Sequence, residues 1–180
     1  MKNHEHTFVL GGCKSGKSRY AQSLSERSAM ENRIYLATCV PLDCEMEDRV
    51  KKHQNDRDHT WKTLEIPLEI SKAIDDHGKS SGVILLDCLT LWVTNMLMAD
   101  MDNEAILKKT DDLTQALSRS YCPVILVSNE VGAGIVPENK LARQFRDIAG
   151  IVNQKVAKAV DRVVMTVAGI PVTLKGSPCV

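Results

Sequence analysis

Thr7-Phe8-Val9-Leu10-Gly11-Gly12-Cys13-Lys14-Ser15-Gly16-Lys17-Ser18 is the stretch that decides how the rest of the chain is read. It opens on a short apolar, β-prone run and continues as G-x-x-x-x-G-K-[ST], the spacing of a phosphate-binding loop. Glycines let the backbone turn so that successive N–H groups point inward at phosphate oxygens. The following segment, Ser18 to Ala29, is expected to be a helix whose N-terminus adds partial positive charge. Lys17 is placed to reach the β- and γ-phosphates of a nucleotide, and Ser18 to ligate Mg²⁺. Cys13 is a loop position of little consequence, and Lys14 either adds a phosphate contact or stays solvated.

Outward from the loop, apolar runs rich in β-branched residues recur at Thr7–Leu10, Ile34–Thr38, Val83–Leu86, Val124–Ser128 and Val163–Val167. Polar or helix-period stretches separate them, so the expected fold is α/β: a three-layer, RecA-like phosphate-loop architecture with a mostly parallel sheet. The longest helix is expected from Pro137, with Leu141, Phe145, Ile148, Val152, Val156 and Val160 on one apolar face. After Val167, Ala168-Gly169-Ile170-Pro171 reads as a turn, with a C-terminal antiparallel edge strand ending at Val172–Leu174. His77–Gly82 reads as an exposed loop. Length and the absence of linker-like sequence favour one domain over residues 1–180.

Composition removes several function classes. Hydrophobic residues are 43% and charged residues 26% of the chain, with 23 basic against 23 acidic side chains. Such a chain can bury a core, and it lacks the net charge of a broad polyanion binder. Neither nucleic-acid binding nor membrane insertion is expected. The apolar run Phe8–Leu10 is too short for a signal peptide or a membrane span, and the six cysteines contain no C-x-x-C pair. Reduced thiols in a cytoplasmic protein are the expectation. His4 and His6 read as a frayed terminus rather than a metal site.

A carboxylate after the strand Val83–Leu86 is the expected partner of nucleotide-bound Mg²⁺, and Asp87 stands there. A guanine-switch reading fails at Asn139-Lys140-Leu141-Ala142, where N-K-x-D is required. A strand-binding motor is disfavoured by an aromatic content of 4%. A small kinase or nucleotidyl transferase remains. Between Arg49 and Arg57, His53 lies among Arg49, Lys51, Lys52 and Arg57, cations that would keep imidazole neutral and nucleophilic. The same charge run also fits a solvated basic helix face.

Taken together, Gly11 to Ser18, Arg49-x-x-x-His53-x-x-x-Arg57, Trp61-x-x-x-Glu65, Leu86-Asp87-Cys88-Leu89-Thr90-Leu91-Trp92, Asn95 and Ser128-Asn129-Glu130-Val131-Gly132-x-Gly134-Ile135-Val136-Pro137 closely resemble the bifunctional adenosylcobinamide kinase/adenosylcobinamide-phosphate guanylyltransferase family of cobalamin biosynthesis. The resemblance runs from about Phe8 to Lys175. It implies phosphorylation of adenosylcobinamide by ATP or GTP, then transfer of GMP from GTP through a guanylyl-histidine to give adenosylcobinamide-GDP. By position His53 is the guanylylated residue. The resemblance further assigns nucleotide contacts to the loop Gly11, Gly12, Cys13, Lys14, Ser15, Gly16, Lys17 and Ser18, and to Ala37, Thr38, Cys39, Gln54, Asn55, Asp56, Arg57, Glu65 and Asp87. Glu65 suits guanine, whose adjacent N–H donors a carboxylate accepts together. A homotrimer is also implied. Asn129 and Glu130 either bind substrate or brace the site, and His59 is a rival to His53 outside the matched spacing. A kinase without the second activity, and a nucleotide-binding regulator without chemistry, are the competing readings.

Overall fold

The structure is a computed structural model describing residues 4–29, 31–40 and 58–177. His53, Gln54, Asn55, Asp56 and Arg57 lie outside the described residues. Seven strands form one sheet: β1 (Thr7–Gly11), β2 (Arg33–Ala37), β3 (Trp61–Glu65), β4 (Val83–Asp87), β5 (Val124–Asn129), β6 (Arg162–Val167) and β7 (Ile170–Lys175). Their order is β3-β2-β4-β5-β1-β6-β7, with every pairing parallel except β6 with β7. The expected mostly parallel sheet with an antiparallel C-terminal edge is therefore present. The helices are α1 (Lys17–Ser28), α2 (Ile70–His77), α3 (Leu89–Met98), α4 (Asn103–Arg119) and α5 (Lys140–Ala159).

Alternation along the strands sorts the helices into layers. Val9, Tyr35, Ala37, Leu85, Ile125 and Val127 pack with Ala21 and Leu24 of α1. Phe8, Ile34, Leu36, Ile84, Leu86, Val124 and Leu126 turn the other way, against apolar residues of α2, α3, α4 and α5. Because the central strands are covered on both faces, they read in sequence as continuous apolar runs. Trp92 of α3 is fully buried, and its indole Nε1 donates to the Leu68 carbonyl at 2.8 Å.

Three local expectations change. The long helix begins at Lys140, not Pro137, because Asn139 caps it by accepting the Ala142 N–H at 3.0 Å. Leu141 is consequently 53% exposed on the first turn, outside the core, while Ile148, Val152 and Val156 are buried as expected. His6 is no frayed residue: it is 1% exposed, and its Nδ1 accepts the Val124 N–H at 3.1 Å. Its backbone also receives the N–H groups of Asp161 and Arg162, so it ties together the starts of β1, β5 and β6. Finally, β7 begins at Ile170 rather than Val172, since the turn needs only Ala168 and Gly169, both at positive φ.

Candidate active site

The loop leaves β1 at Gly11 and enters α1 at Lys17. Lys14 (φ 53°) and Gly16 (φ 95°) adopt left-handed conformations, which turn the intervening backbone into a concave arc. The N-terminus of α1 has no side-chain cap, so its N–H groups are open to an anion. Lys17 folds back over the loop, its Nζ donating to the Gly12 carbonyl at 3.1 Å.

Two close contacts hold this arc on the sheet. Ser15 Oγ meets Thr166 Oγ1 of β6 at 2.8 Å, and the Gly169 N–H donates to the Ser15 carbonyl at 2.9 Å. A Cβ on Gly11 would sit 2.3 Å from Ser15 Oγ and 2.8 Å from the Thr166 carbonyl oxygen, so only glycine fits. A Cβ on Gly16 would stand 3.2 Å from the Gly169 Cα. The β6–β7 turn is thus a wall of the loop. The Ala168-Gly169 pair marked a turn in the sequence, but nothing there said what the turn touches.

The negative half of the site stands on neighbouring strands. Ala37 is in register with Glu65 on one side and with Asp87 on the other, and all three occupy the sheet edge from which the loop emerges. Burial raises the Cys39 thiol above its ordinary value, and the charges of Asp87 and then Glu65 add to the rise. Burial likewise pushes the Cys88 thiol up to about 12, with Asp87 as the second cause. Among the described residues neither Asp87 nor Glu65 forms an ion pair. The arrangement is bipolar: a loop of N–H donors with Lys17 after β1, and, after β4 and β3, two carboxylates without an ion-pair partner among the described residues.

Thr38 locks the join between β2 and β4. Its Oγ1 donates to the Cys88 carbonyl and accepts the Cys88 N–H, each at 2.8 Å, and its own N–H donates to the Asp87 carbonyl. Asn95 of α3 extends the brace, donating from Nδ2 to the Thr38 carbonyl at 2.7 Å and the Pro67 carbonyl at 3.0 Å. Asn129 ends β5 in register with Gly11, and the Glu130 N–H donates to the Gly11 carbonyl at 3.0 Å. Thr90 Oγ1 accepts the Asn129 N–H at 2.7 Å.

The structure therefore gathers the loop residues, Ala37, Thr38, Cys39, Glu65 and Asp87 along one sheet edge. Sequence reading missed Thr166 and Gly169 as the wall of the loop, and gave no role to Asn153, a buried polar side chain inside the apolar stripe of α5. A polar residue interrupting an apolar helix face was the available signal. His59 belongs elsewhere. With Arg33, Trp61, Lys62 and His77 it lines a cleft of about 440 Å³ at the start of β2 and β3, the opposite sheet edge from the loop. Among the described residues no cluster of three or more histidine, cysteine, aspartate or glutamate side chains could hold a metal, and no helix is long and apolar enough to cross a membrane.

Residues 7–174 match the family described as cobinamide kinase / cobinamide phosphate guanyltransferase. The chain is 40% identical over 171 residues to the bifunctional adenosylcobalamin biosynthesis protein CobP of Pseudomonas aeruginosa, covering 95% of this chain and 98% of that protein. It is 42% identical over 180 residues to the bifunctional adenosylcobalamin biosynthesis protein CobU of Salmonella typhimurium, covering 93% and 98%. Among solved structures, the flagellar accessory protein FlaH from Methanocaldococcus jannaschii superposes with a TM-score of 0.54 at 12% identity, over 96% of this chain and 79% of that one. That last likeness concerns the fold alone.

Proposed function

The chain belongs to the cobinamide kinase / cobinamide phosphate guanyltransferase family, and from that premise we propose that one cytoplasmic domain over residues 1–180 catalyses both reactions through a guanylyl-histidine. It is an adenosylcobinamide kinase and adenosylcobinamide-phosphate guanylyltransferase. The observation that carries the reading is the bipolar sheet edge, with the uncapped α1 N-terminus and Lys17 following β1 and with Asp87 and Glu65 ending β4 and β3 at the same edge.

In the first reaction a hydroxyl of adenosylcobinamide attacks the γ-phosphorus of ATP or GTP, and the nucleoside diphosphate leaves. The loop Gly11–Ser18 supplies N–H donors to the phosphate oxygens, and Lys17, released from the Gly12 carbonyl, neutralises charge on the β- and γ-phosphates. Asp87 and Ser18 offer hard oxygen donors to Mg²⁺, an ion that also keeps phosphate and water ligands. When bound there, Mg²⁺ offsets charge on the nucleotide phosphates.

In the second reaction His53 attacks the α-phosphorus of GTP, a P–N bond forms, and pyrophosphate departs. An oxygen of the corrinoid phosphate then attacks the same phosphorus, breaking the P–N bond and making the anhydride of adenosylcobinamide-GDP. Glu65 accepts the adjacent N–H donors of guanine, and Ala37, Cys39 and residues Gln54 to Arg57 complete the nucleotide contacts, whereas Thr38, expected among them, is fully buried with its N–H, hydroxyl and carbonyl bonded inside the fold and braces the strand ends from behind. The active form is a homotrimer.

Incubation with GTP labelled at the α-phosphate tests the covalent step. Acid-labile, alkali-stable label is expected on the wild-type protein and is expected to vanish in His53→Ala. Label of undiminished amount in that variant would remove His53 from the mechanism.

A further inference from the structure

Helix α5 carries two arginines toward the segment that follows β5, and their bonding differs. Arg143 Nη1 donates to the Pro137 carbonyl at 3.0 Å and to the Glu138 carbonyl at 2.5 Å. Arg146 uses Nη2 on the Gly132 carbonyl at 2.6 Å, but its Nη1 is buried without a hydrogen-bond partner. Arg146 also has no acidic partner among the described residues. The nearby carboxylate of Glu130 is turned onto its own loop, where it accepts the Gly132 N–H at 2.6 Å.

A half-buried guanidinium lacking both a counter-charge and one acceptor is an unfavourable arrangement unless something else supplies them. An anionic group would supply both at once, accepting the buried Nη1 proton and balancing the guanidinium charge. Its position ties it to the phosphate loop. Gly132 is held to Glu130, and Glu130 donates its N–H to the Gly11 carbonyl at the start of that loop. Two turns further along α5, Asn153 donates from Nδ2 to the Asn129 carbonyl at 3.2 Å, in the residue paired with Gly11. The Oδ1 atoms of Asn129 and Asn153 are both buried acceptors without partners, and they suit N–H or O–H donors of the corrinoid arm and not its phosphate.

We propose that Arg146 binds the phosphomonoester of the corrinoid acceptor in the guanylyl-transfer step. The inference rests on the reading of the activity given above and adds the acceptor subsite to it. Two substrates of the enzyme differ at this point of the corrinoid arm: the kinase step takes a neutral hydroxyl, the transfer step a phosphate dianion. Only the second brings the charge that Arg146 lacks. Arg146 keeps its proton throughout; it holds one oxygen of the monoester while another attacks the α-phosphorus on His53 and the P–N bond breaks. Arg146 is thus a specificity residue for the phosphorylated acceptor.

The test compares wild type with Arg146→Gln, which keeps an N–H donor for the Gly132 carbonyl but loses the charge, and Arg146→Lys, which keeps the charge. Calorimetry measures binding of adenosylcobinamide phosphate, adenosylcobinamide and GTP to each full-length protein, and thermal melts check folding. Wild type is expected to prefer the phosphorylated over the unphosphorylated corrinoid on the order of 10- to 100-fold. Arg146→Gln is expected to abolish most of that preference, and Arg146→Lys to retain part of it. A preference that survives in Arg146→Gln, its absence in wild type, or a loss of GTP affinity equal to the loss for the corrinoid phosphate would overturn the proposal. Pyrophosphate release from GTP by wild type is followed alongside: its absence would refute the reading of the activity, an outcome distinct from a preference that Arg146 does not control.

Discussion

Replacing Gly11 by alanine should break the seat of the phosphate loop. The added Cβ would lie 2.3 Å from Ser15 Oγ, 2.4 Å from Thr166 Oγ1 and 2.8 Å from the Thr166 carbonyl oxygen. Rotating the two hydroxyls away relieves the first two contacts but breaks their mutual bond, which is worth about 1 kcal/mol. The third contact cannot be relieved by rotation. Thr166 is in register with Gly11 on the neighbouring strand, so its carbonyl recedes only if β1 and β6 part by about half an ångström. Overpacking of that kind costs about 1–3 kcal/mol. The sum is about 2–4 kcal/mol, which for a chain of this size lowers the melting temperature by about 5–15 °C. Thermal unfolding followed by circular dichroism measures it. Gly12→Ala is the control, since no atom lies within 4 Å of a Cβ placed there. Its melting temperature should stay within about 1 °C of wild type. A Gly11→Ala protein that melts within about 2 °C of wild type would refute the view that the β6–β7 hairpin clamps the loop.

Trp92→Phe removes the indole donor from the Leu68 carbonyl and shrinks a fully buried side chain. A loss of about 2–3 kcal/mol in urea unfolding is expected, and one below about 1 kcal/mol would show that the bond and the packing contribute little. The Cys88 thiol is raised from 9.0 to about 12 on folding, so the folded chain holds this proton longer than the unfolded chain. Its contribution to stability is whole below pH 9 and is lost as pH rises toward 12, at up to about 1.4 kcal/mol per pH unit. Urea titrations between about pH 8 and pH 10.5 should therefore fall less steeply for Cys88→Ala than for wild type, and parallel curves would contradict the buried thiol.

Legibility in the sequence followed the range of the interactions. The loop and the strands leading into it were readable because their causes are local: glycine at turns, apolar runs that must be covered on both faces, and a helix signalled by its period. Asp87 was readable for the same reason, as a carboxylate at the end of a recognisable strand. The start of α5 falls at Lys140 and not at Pro137, because the helix begins where a side chain accepts a free N–H, and Asn139 accepts that of Ala142. The burial of His6 is not legible locally, because it depends on strands more than a hundred residues away in the chain.

By itself the sequence determined the expectation of phosphate-loop nucleotide chemistry, since the types and spacing of Gly11 to Ser18 and the place of Asp87 after a strand are local properties of the chain, while His53 and Glu65 are expected site residues by resemblance. Tertiary structure alone decided that Thr166 and Gly169 wall the loop, that Thr38 and Asn95 brace the carboxylate side, and that Arg146 carries a buried N–H with nothing to receive it. Parallel strand order is the physical reason: β1 sits between β5 and β6, so distant segments meet at one sheet edge. Whether a polar atom there is satisfied depends on neighbours that sequence distance does not reveal.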